Sequence, residues 1–289
     1  MIVTRCDTLL TYTNERGLSI SMAPLTEYWL EKCQEDLKNN IFSEAQTGLD
    51  GKIFVTDNLD ERYITLSGFF DSADWKSMQR TMERTFNPTL GGTLTYQNLF
   101  TGITRTIECR VMAVPSVYWS SGDARFDIQL VCNDPFWRGQ ERTEVIALLT
   151  KAFHFPVAIP AEGMYFGLRR RTLQTIFENV GDVSSGFRIL FKATATGTVI
   201  NPLVRNELTG EFIQINYTMQ PDDTIEVINF PQIKRIIINK TVNGFRYLHP
   251  STTFFEMPVG ENVFGYGADE NTTNLNVTIF YIPFYLGVG

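Results

Sequence analysis

Three pairs of neighbouring carboxylates have spacings that would let two acids share general-acid and nucleophile work on a glycosidic bond: Asp71 with Asp74, Asp222 with Asp223, and Asp269 with Glu270. Each pair falls where a turn or helix start is expected. There an Asp has a local reason to be present, because its short side chain bonds nearby backbone amides. Only two histidines occur, His154 between Phe153 and Phe155, and His249 before Pro250. That leaves little room for a nucleophile or metal constellation, so both take structural or surface roles. Cys6, Cys33, Cys109 and Cys132 lie far apart without a C-x-x-C pair, which argues against zinc and redox chemistry. Cys109 and Cys132 read as small apolar residues within strand-like patterns, with disulfides the lesser option. Neither G-x-S-x-G nor G-x-x-x-x-G-K-[ST] occurs. Gly265-x-Gly267 is followed by Asp269-Glu270, so the dinucleotide pattern fails and a turn is the better reading. Asp57-Asn58-Leu59-Asp60 lacks the alternating ligand spacing of a calcium loop. The expectation is no enzyme, no cofactor, and no catalytic, cofactor-binding or metal residue.

The elements that would position any site are mainly strands. The chain has 289 residues, 43% hydrophobic and 20% charged, which suits two globular domains. Aromatic content is 13%, with 22 Phe and 11 Tyr, and this favours β structure. A formal net charge of -7 disfavours a surface built to hold nucleic-acid phosphates. The amino terminus lacks a basic region followed by an apolar run, and no apolar run approaches the ~18 residues of a membrane span. A soluble chain made in the cytosol, with no membrane partner, is expected.

The pivotal stretch is Phe126 to Trp137, FDIQLVCNDPFW. Phe126, Ile128, Leu130 and Cys132 alternate with polar or smaller residues, the period of a half-buried strand. Asn133-Asp134-Pro135 stops it, and the polar Arg138 to Arg142 follows. The turn is therefore expected to close one domain and launch the next, through a hinge that orients the second.

Before it, Leu9 to Tyr12 and Leu18 to Met22 read as strands. Glu27 to Asn40 is ambiguous, because Leu30, Cys33 and Leu37 fit a helix face while Tyr28-Trp29-Leu30 would sit in a strand. Ile41 to Gly51 reads as a loop, and Lys52 to Thr56 with Arg62 to Ser67 as a hairpin. The clearest helix runs from Ala73 to Phe86, where Trp75, Met78, Met82 and Phe86 form one apolar stripe. Asp71 or Ser72 would cap it, and Asn87-Pro88 would end it. Thr93 to Tyr96 and Thr104 to Val114 are further strands. After the pivot, a short helix is expected over Val145 to Lys151 and extended chain around Phe153, Pro156 and Pro160. Arg169-Arg170-Arg171 reads as a solvated strand edge, with a contact for an acidic partner as the sharper alternative. From Gln174, strands and turn signals alternate about every ten residues, with turns at Gly260-Glu261-Asn262 and Gly267 to Asn271. Ile233 to Leu248 reads as a hairpin and Asn274 to Leu286 as a long final strand, a pattern that indicates a β-sandwich.

The chain resembles the distal tail proteins of long-tailed, non-contractile bacteriophages. In the first half the resemblance rests on Asp50-Gly51, Arg62-Tyr-Ile-Thr-Leu66-x-Gly68, the helix ending at Pro88 before Gly91-Gly92, and FDIQLVCNDPFW. In the second half it rests on Phe153-His-Phe-Pro156, Asn179-Val-Gly-Asp182, Asn201-Pro202 with Asn206, Thr209-Gly210-Glu211, and Pro258-x-Gly260-x-Asn262 before Tyr266-Gly267. Order and spacing carry the weight, because each motif alone is a turn signature. The resemblance implies a mainly β chain with one helix. Residues 1–140 would form a split-barrel-like, ring-forming domain with an extended arm, 141–160 a linker, and 161–289 a galectin-like β-sandwich pointing outward. It further implies a homohexameric ring at the virion tail tip. The ring would join the tail tube protein to baseplate hub, tail-tip and receptor-binding proteins, and DNA would pass its lumen without being specifically bound.

A closed ring needs two different patches per subunit meeting head to tail. Tyr28 to Thr56 has apolar residues without an obvious place in a core and is nominated as the inter-subunit arm. An acidic or neutral lumen is expected, since it would not trap DNA. The alternative is a carbohydrate-binding β-sandwich that contacts host surface glycans, although Phe280, Tyr281, Phe284 and Tyr285 of the last strand read as sheet and core residues.

Overall fold

Alternating apolar residues build two separate cores. The computed structural model describes residues 2–3, 8–48, 50–71, 74–120, 122–145, 148–151, 167–170, 174–195 and 197–288. The chain divides into one unit of Met1–Gly139 with Tyr285–Gly289 and another of Gln140–Phe284.

The first unit contains β1 (Ile2–Val3), β2 (Thr8–Asn14), β3 (Ser19–Met22), β4 (Tyr28–Asp36), β5 (Asn39–Glu44), β6 (Ile53–Leu59), β7 (Arg62–Phe70), helix α1 (Trp75–Thr85), β8 (Gly91–Asn98), β9 (Thr104–Val111), β10 (Ser116–Ser120), β11 (Asp123–Cys132) and β12 (Trp137–Arg138). Neighbours in its main sheet run β1-β4-β7-β11-β9-β8-β2-β3, with β10 added on β11, while β5 and β6 pair as a sheet of their own. The two ends of the main sheet do not pair among the described residues, so it is open. In β7 every second residue, from Arg62 through Ile64 and Leu66 to Phe70, is buried, and β11 buries Ala124, Phe126, Ile128, Leu130 and Cys132 in the same way. The helix lays Met78 and Met82 on the core, and Phe86 at its end stacks on Tyr12 of β2 with ring centroids 4.3 Å apart. Asp74 is its N-cap residue and makes no side-chain capping bond; the expected cap Ser72 lies outside the described residues. A Cβ on Gly68 would stand 2.0 Å from the Trp29 carbonyl oxygen and 2.7 Å from the Phe126 ring, so β7 approaches its neighbours closely only because glycine is there.

Several expectations need correcting. Glu27 to Asn40 forms strand, not helix. A bulge in the β4–β7 pairing between Leu30 and Lys32 brings Leu30 and Cys33 to the same buried face. The extra residue turns a two-residue period into a three-residue one and so imitates a helix stripe. Ile41 to Gly51 is not all loop, because its first part is β5. Val145 to Lys151 is not helical where described: Arg142–Val145 forms β13 and Leu148–Lys151 forms β14, each with a partner strand that outweighs local helix preference. Cys6, Phe153, His154, Pro156, Pro160 and Arg171 lie outside the described residues.

The second unit continues with β15 (Gly167–Arg170), β16 (Gln174–Asn179), β17 (Phe187–Ala193), β18 (Val199–Asn206), β19 (Phe212–Gln214), β20 (Thr218–Met219), β21 (Thr224–Phe230), β22 (Ile233–Ile238), β23 (Val242–Asn243), β24 (Gly260–Glu270) and β25 (Leu275–Tyr281). One sheet runs β13-β25-β17-β21-β22-β23 and the other β16-β24-β18-β19, with β20 on β18. Their inner faces share one apolar core, in which Phe187 and Phe255 cluster around Phe264. This is a β-sandwich. Gly260 to Glu270 is one strand where two turns were expected, and Gly265-x-Gly267 lies within it. Gly265 lies mid-strand beside the exposed Glu207 side chain and is not a chain reversal. Phe245–Tyr247 is a short 3-10 turn and not the return strand of a hairpin.

Buried asparagines tie the turns to these sheets. Asn14 donates to the Thr85 carbonyl and accepts from the Arg16 and Leu18 amides. Asn179 donates to the Val183 and Met257 carbonyls and accepts from the Gly181 amide. Asn206 accepts from Leu208 and Thr209, and Asn262 donates to the Pro258 and Gly260 carbonyls. The turn motifs of the sequence are therefore buried polar joints whose bonds go to backbone.

Candidate assembly surface

The β5–β6 ribbon leaves the main sheet between Asp36 and Arg62. Its base is closed by the Asp60 amide donating to the Lys38 carbonyl at 2.9 Å and by Asn39 Nδ2 donating to Asp57 Oδ2 at 2.7 Å. Asn39 pairs with Leu59, Ile41 with Asp57 and Glu44 with Ile53, with an irregularity at Phe42 and Ser43. Beyond the base, no position of either strand is buried. Ile41, Phe42, Ile53, Phe54 and Val55 are each about half or more exposed, Ile41 at 65%. An isolated two-stranded ribbon is marginal in water, and one carrying five large apolar side chains in the open has the composition of a surface meant to be covered. The ribbon overlaps the later part of the segment Tyr28 to Thr56 nominated from the sequence; the earlier part is β4, whose Leu30 and Cys33 are buried in the first unit's core.

The base of the ribbon is electrostatically built. Arg62 is 2% exposed. Its Nε donates to the Pro135 carbonyl at 2.7 Å, one terminal nitrogen pairs with Glu35, and the other donates to the Leu286 carbonyl at 2.7 Å. Glu35 Oε2 also accepts from the Trp137 indole at 3.2 Å, while its Oε1 is buried without a partner. Hydrogen bonds from the Glu61 side chain and amide hold the Asp60 carboxyl below the usual range. Nearby, burial pushes the Cys33 thiol up to about 12, with the Glu35 charge adding to it. Cys132 is raised chiefly by its hydrogen bond with Cys109 and then by burial. Cys33, Cys109 and Cys132 are free.

The pivot turn serves this base. Asp134 pairs with Arg138 at 2.9 Å, Pro135 supplies the carbonyl to Arg62, and Trp137 is fully buried in the first unit's core. Arg62, which opens one of the resemblance motifs, reads from sequence only as the polar start of a strand, and its buried bonding role was missed. Sequence reasoning also missed residues 285–288, which read as the end of the last strand.

The other sequence candidates are dispersed. Asp71 and Asp74 flank the helix start, and both are exposed. Asp222 has a left-handed backbone, and Asp223 accepts from the Gln220 amide and Asn239 Nδ2, so this pair builds a turn. Asp269 accepts from Asn201 at 2.7 Å and Gln214 at 3.2 Å, crosslinking strands on an exposed face. Among the described residues no three His, Cys, Asp or Glu gather in a metal-holding group, and no helix is long and apolar enough to cross a membrane. Tyr281 and Phe284 are buried, Phe280 lies 3.8 Å beneath Arg188, and Tyr285 lies 3.8 Å beneath Arg105.

Residues 181–285 match the family described as the siphovirus-type tail component, C-terminal domain. The crystal structure of SPP1 Dit (gp 19.1), called a paradigm of the hub adsorption apparatus in phages infecting Gram-positive bacteria, overlays 96% of this chain and 99% of its own. Its TM-score is 0.67 at 12% identity. A chain of the phage P2 baseplate, in its activated conformation with Ca, covers 95% and 97% at a TM-score of 0.44 and 10% identity. An exo-beta-1,3-galactanase from Phanerochaete chrysosporium, with galactose, covers 91% and 70% at 0.20 and 10% identity. Overlaps that low carry no argument. No curated protein sequence matches the chain.

The sandwich thus points to the class: residues 181–285 match the family model of the siphovirus-type tail components. The fold of nearly the whole chain is that of a distal tail protein, and the resemblance read from the order of its turn motifs stands.

Proposed function

We propose that this protein is a non-enzymatic distal tail protein that forms a homohexameric ring at the virion tail tip, joining the tail tube to baseplate, tail-tip and receptor-binding proteins. Residues 1–140 make the ring, 161–289 form the outward sandwich, and DNA passes the lumen without specific contacts. The observation that carries this reading is the apolar β5–β6 ribbon. A head-to-tail ring requires a projecting element on one subunit and a receiving surface on the next, and specific interfaces usually bury ~800 Å² per partner. The ribbon supplies the projecting element.

Deleting Lys38 to Gly48 alone would leave β6 without its partner, so the better test replaces 39–59 with a two-residue turn. The Lys38 carbonyl and Asp60 amide are already hydrogen-bonded and mark where the chain can be rejoined. By light scattering the intact protein is expected at six times 33.0 kDa, about 200 kDa, and the ribbonless chain at its monomer mass with its strand content otherwise retained. A ribbonless chain that still runs as a ring refutes the assignment.

A further inference from the structure

Residues 285–288 are held in the first unit by several independent contacts. Val288 is buried in the first unit's apolar core and Tyr285 packs against it. The Gly287 carbonyl accepts from Arg105, whose guanidinium stacks on the Tyr285 ring. The Leu286 carbonyl accepts from Arg62, 224 positions earlier. Arg62 is the first residue of β7 and Glu35 the last but one of β4, the two strands from which the ribbon emerges. Three chain segments therefore meet on one buried guanidinium: the β4 end through Glu35, the pivot turn through Pro135 and residues 285–288 through Leu286.

We infer that residues 285–288 are a positioning strap for the β5–β6 ribbon, seating on Arg62 and Arg105 so that the root of the ribbon is held rigid only while these residues are in place. The reasoning is electrostatic. A buried guanidinium needs acceptors for its fork, and its pairing with Glu35 is favourable only while water is kept out and the remaining donors are satisfied. Without Leu286 one arm of the fork loses its acceptor and the pocket opens. The Arg62–Glu35 pair then becomes a screened surface pair that no longer fixes β4 to β7 where the ribbon leaves. An unseated strap would therefore leave the ribbon loose where it would meet a neighbouring subunit. That consequence for assembly rests on the ring reading above, whereas the effect on the root does not.

The test compares three proteins by hydrogen exchange at low concentration: the full chain, a chain ending at Phe284, and full-length Val288→Ser, which unseats the strap without shortening it. With the strap lost, amides of 34–36 and 60–64 are expected to exchange at least tenfold faster, trypsin to cut sooner at Lys38 and Lys52, and amides of the β2–β8 pair to stay within twofold. Adding a Tyr-Leu-Gly-Val-Gly peptide to the shortened chain should restore protection. Equal exchange at the root in all three proteins overturns the inference, and so does a uniform rise across the unit, which would mean only general destabilisation. If the shortened chain does not fold, Val288→Ser decides alone. Light scattering separates the two readings. An intact chain that never forms rings removes the ring proposal and leaves the exchange result standing. Strapless chains that form rings despite a loose root remove the assembly consequence.

Discussion

Two consecutive strands of this chain have similar residues and opposite fates. Arg62–Phe70 is rich in aromatic and β-branched residues and buries every second one between two neighbouring strands. Ile53–Leu59 contains Ile, Phe, Val and Thr, has a single neighbour, and buries none. The difference teaches that strand-forming composition specifies pairing, whereas burial depends on what stands behind the strand. The apolar residues of the second strand stay exposed because no layer stands behind them.

The comparison can be broken first at its buried half. Phe126, fully buried between Gly68 and Phe70, should cost about 3–5 kcal/mol when changed to Ala, read from urea unfolding. Arg62→Ala removes one partner of a buried pair and should cost about 3–5 kcal/mol, with more than additive coupling relieved by Glu35→Gln in a double-mutant cycle. A cost under about 1 kcal/mol at either site would mean that β7 is not the keystone of the sheet.

Alkaline pH offers a graded test. Burial raises Cys33 from 9.0 to about 12 and Tyr12 from 10.0 to about 12. The folded chain thus holds protons that the unfolded chain releases earlier. Their contribution to stability is complete below about pH 9 and is lost as pH rises towards about 12. Urea midpoints should fall through that window, and Cys33→Val should flatten part of the fall. The smallest effect belongs to the exposed half: Phe54→Ser should change stability by no more than about 0.5 kcal/mol while reducing the ring population seen by light scattering.

Much of this was legible in the sequence where one period held without interruption. The helix stripe from Trp75 to Phe86 and the alternation from Phe126 to Cys132 are both present, because each element packs one face on one core. The β4 strand was illegible because its bulge moved Leu30 and Cys33 onto one face. The ribbon's exposure was legible from apolar residues lacking a core, but its strand pairing was not, since exposed strands need no alternation. The strap was hidden for a different reason: Phe284, Tyr285 and Leu286 extend the alternation of β25, and only Ile282-Pro283 hinted that the strand had ended. The bonding role of Arg62 was invisible because its three acceptors come from distant parts of the chain.

The asparagine joints have a bearing on how the protein ages. Deamidation replaces a donating NH₂ with an oxygen, and at Asn179 or Asn262 that oxygen would face two carbonyls it repels. The reaction needs the following backbone nitrogen to swing onto the side chain, which a buried asparagine held by several bonds resists. The one Asn-Gly step, Asn243-Gly244, has its asparagine exposed at the end of β23, outside every joint described above, while the Gly244 amide donates to the Ile236 carbonyl at 2.8 Å. Chemical wear there waits on release of that amide, and the added charge would then meet solvent.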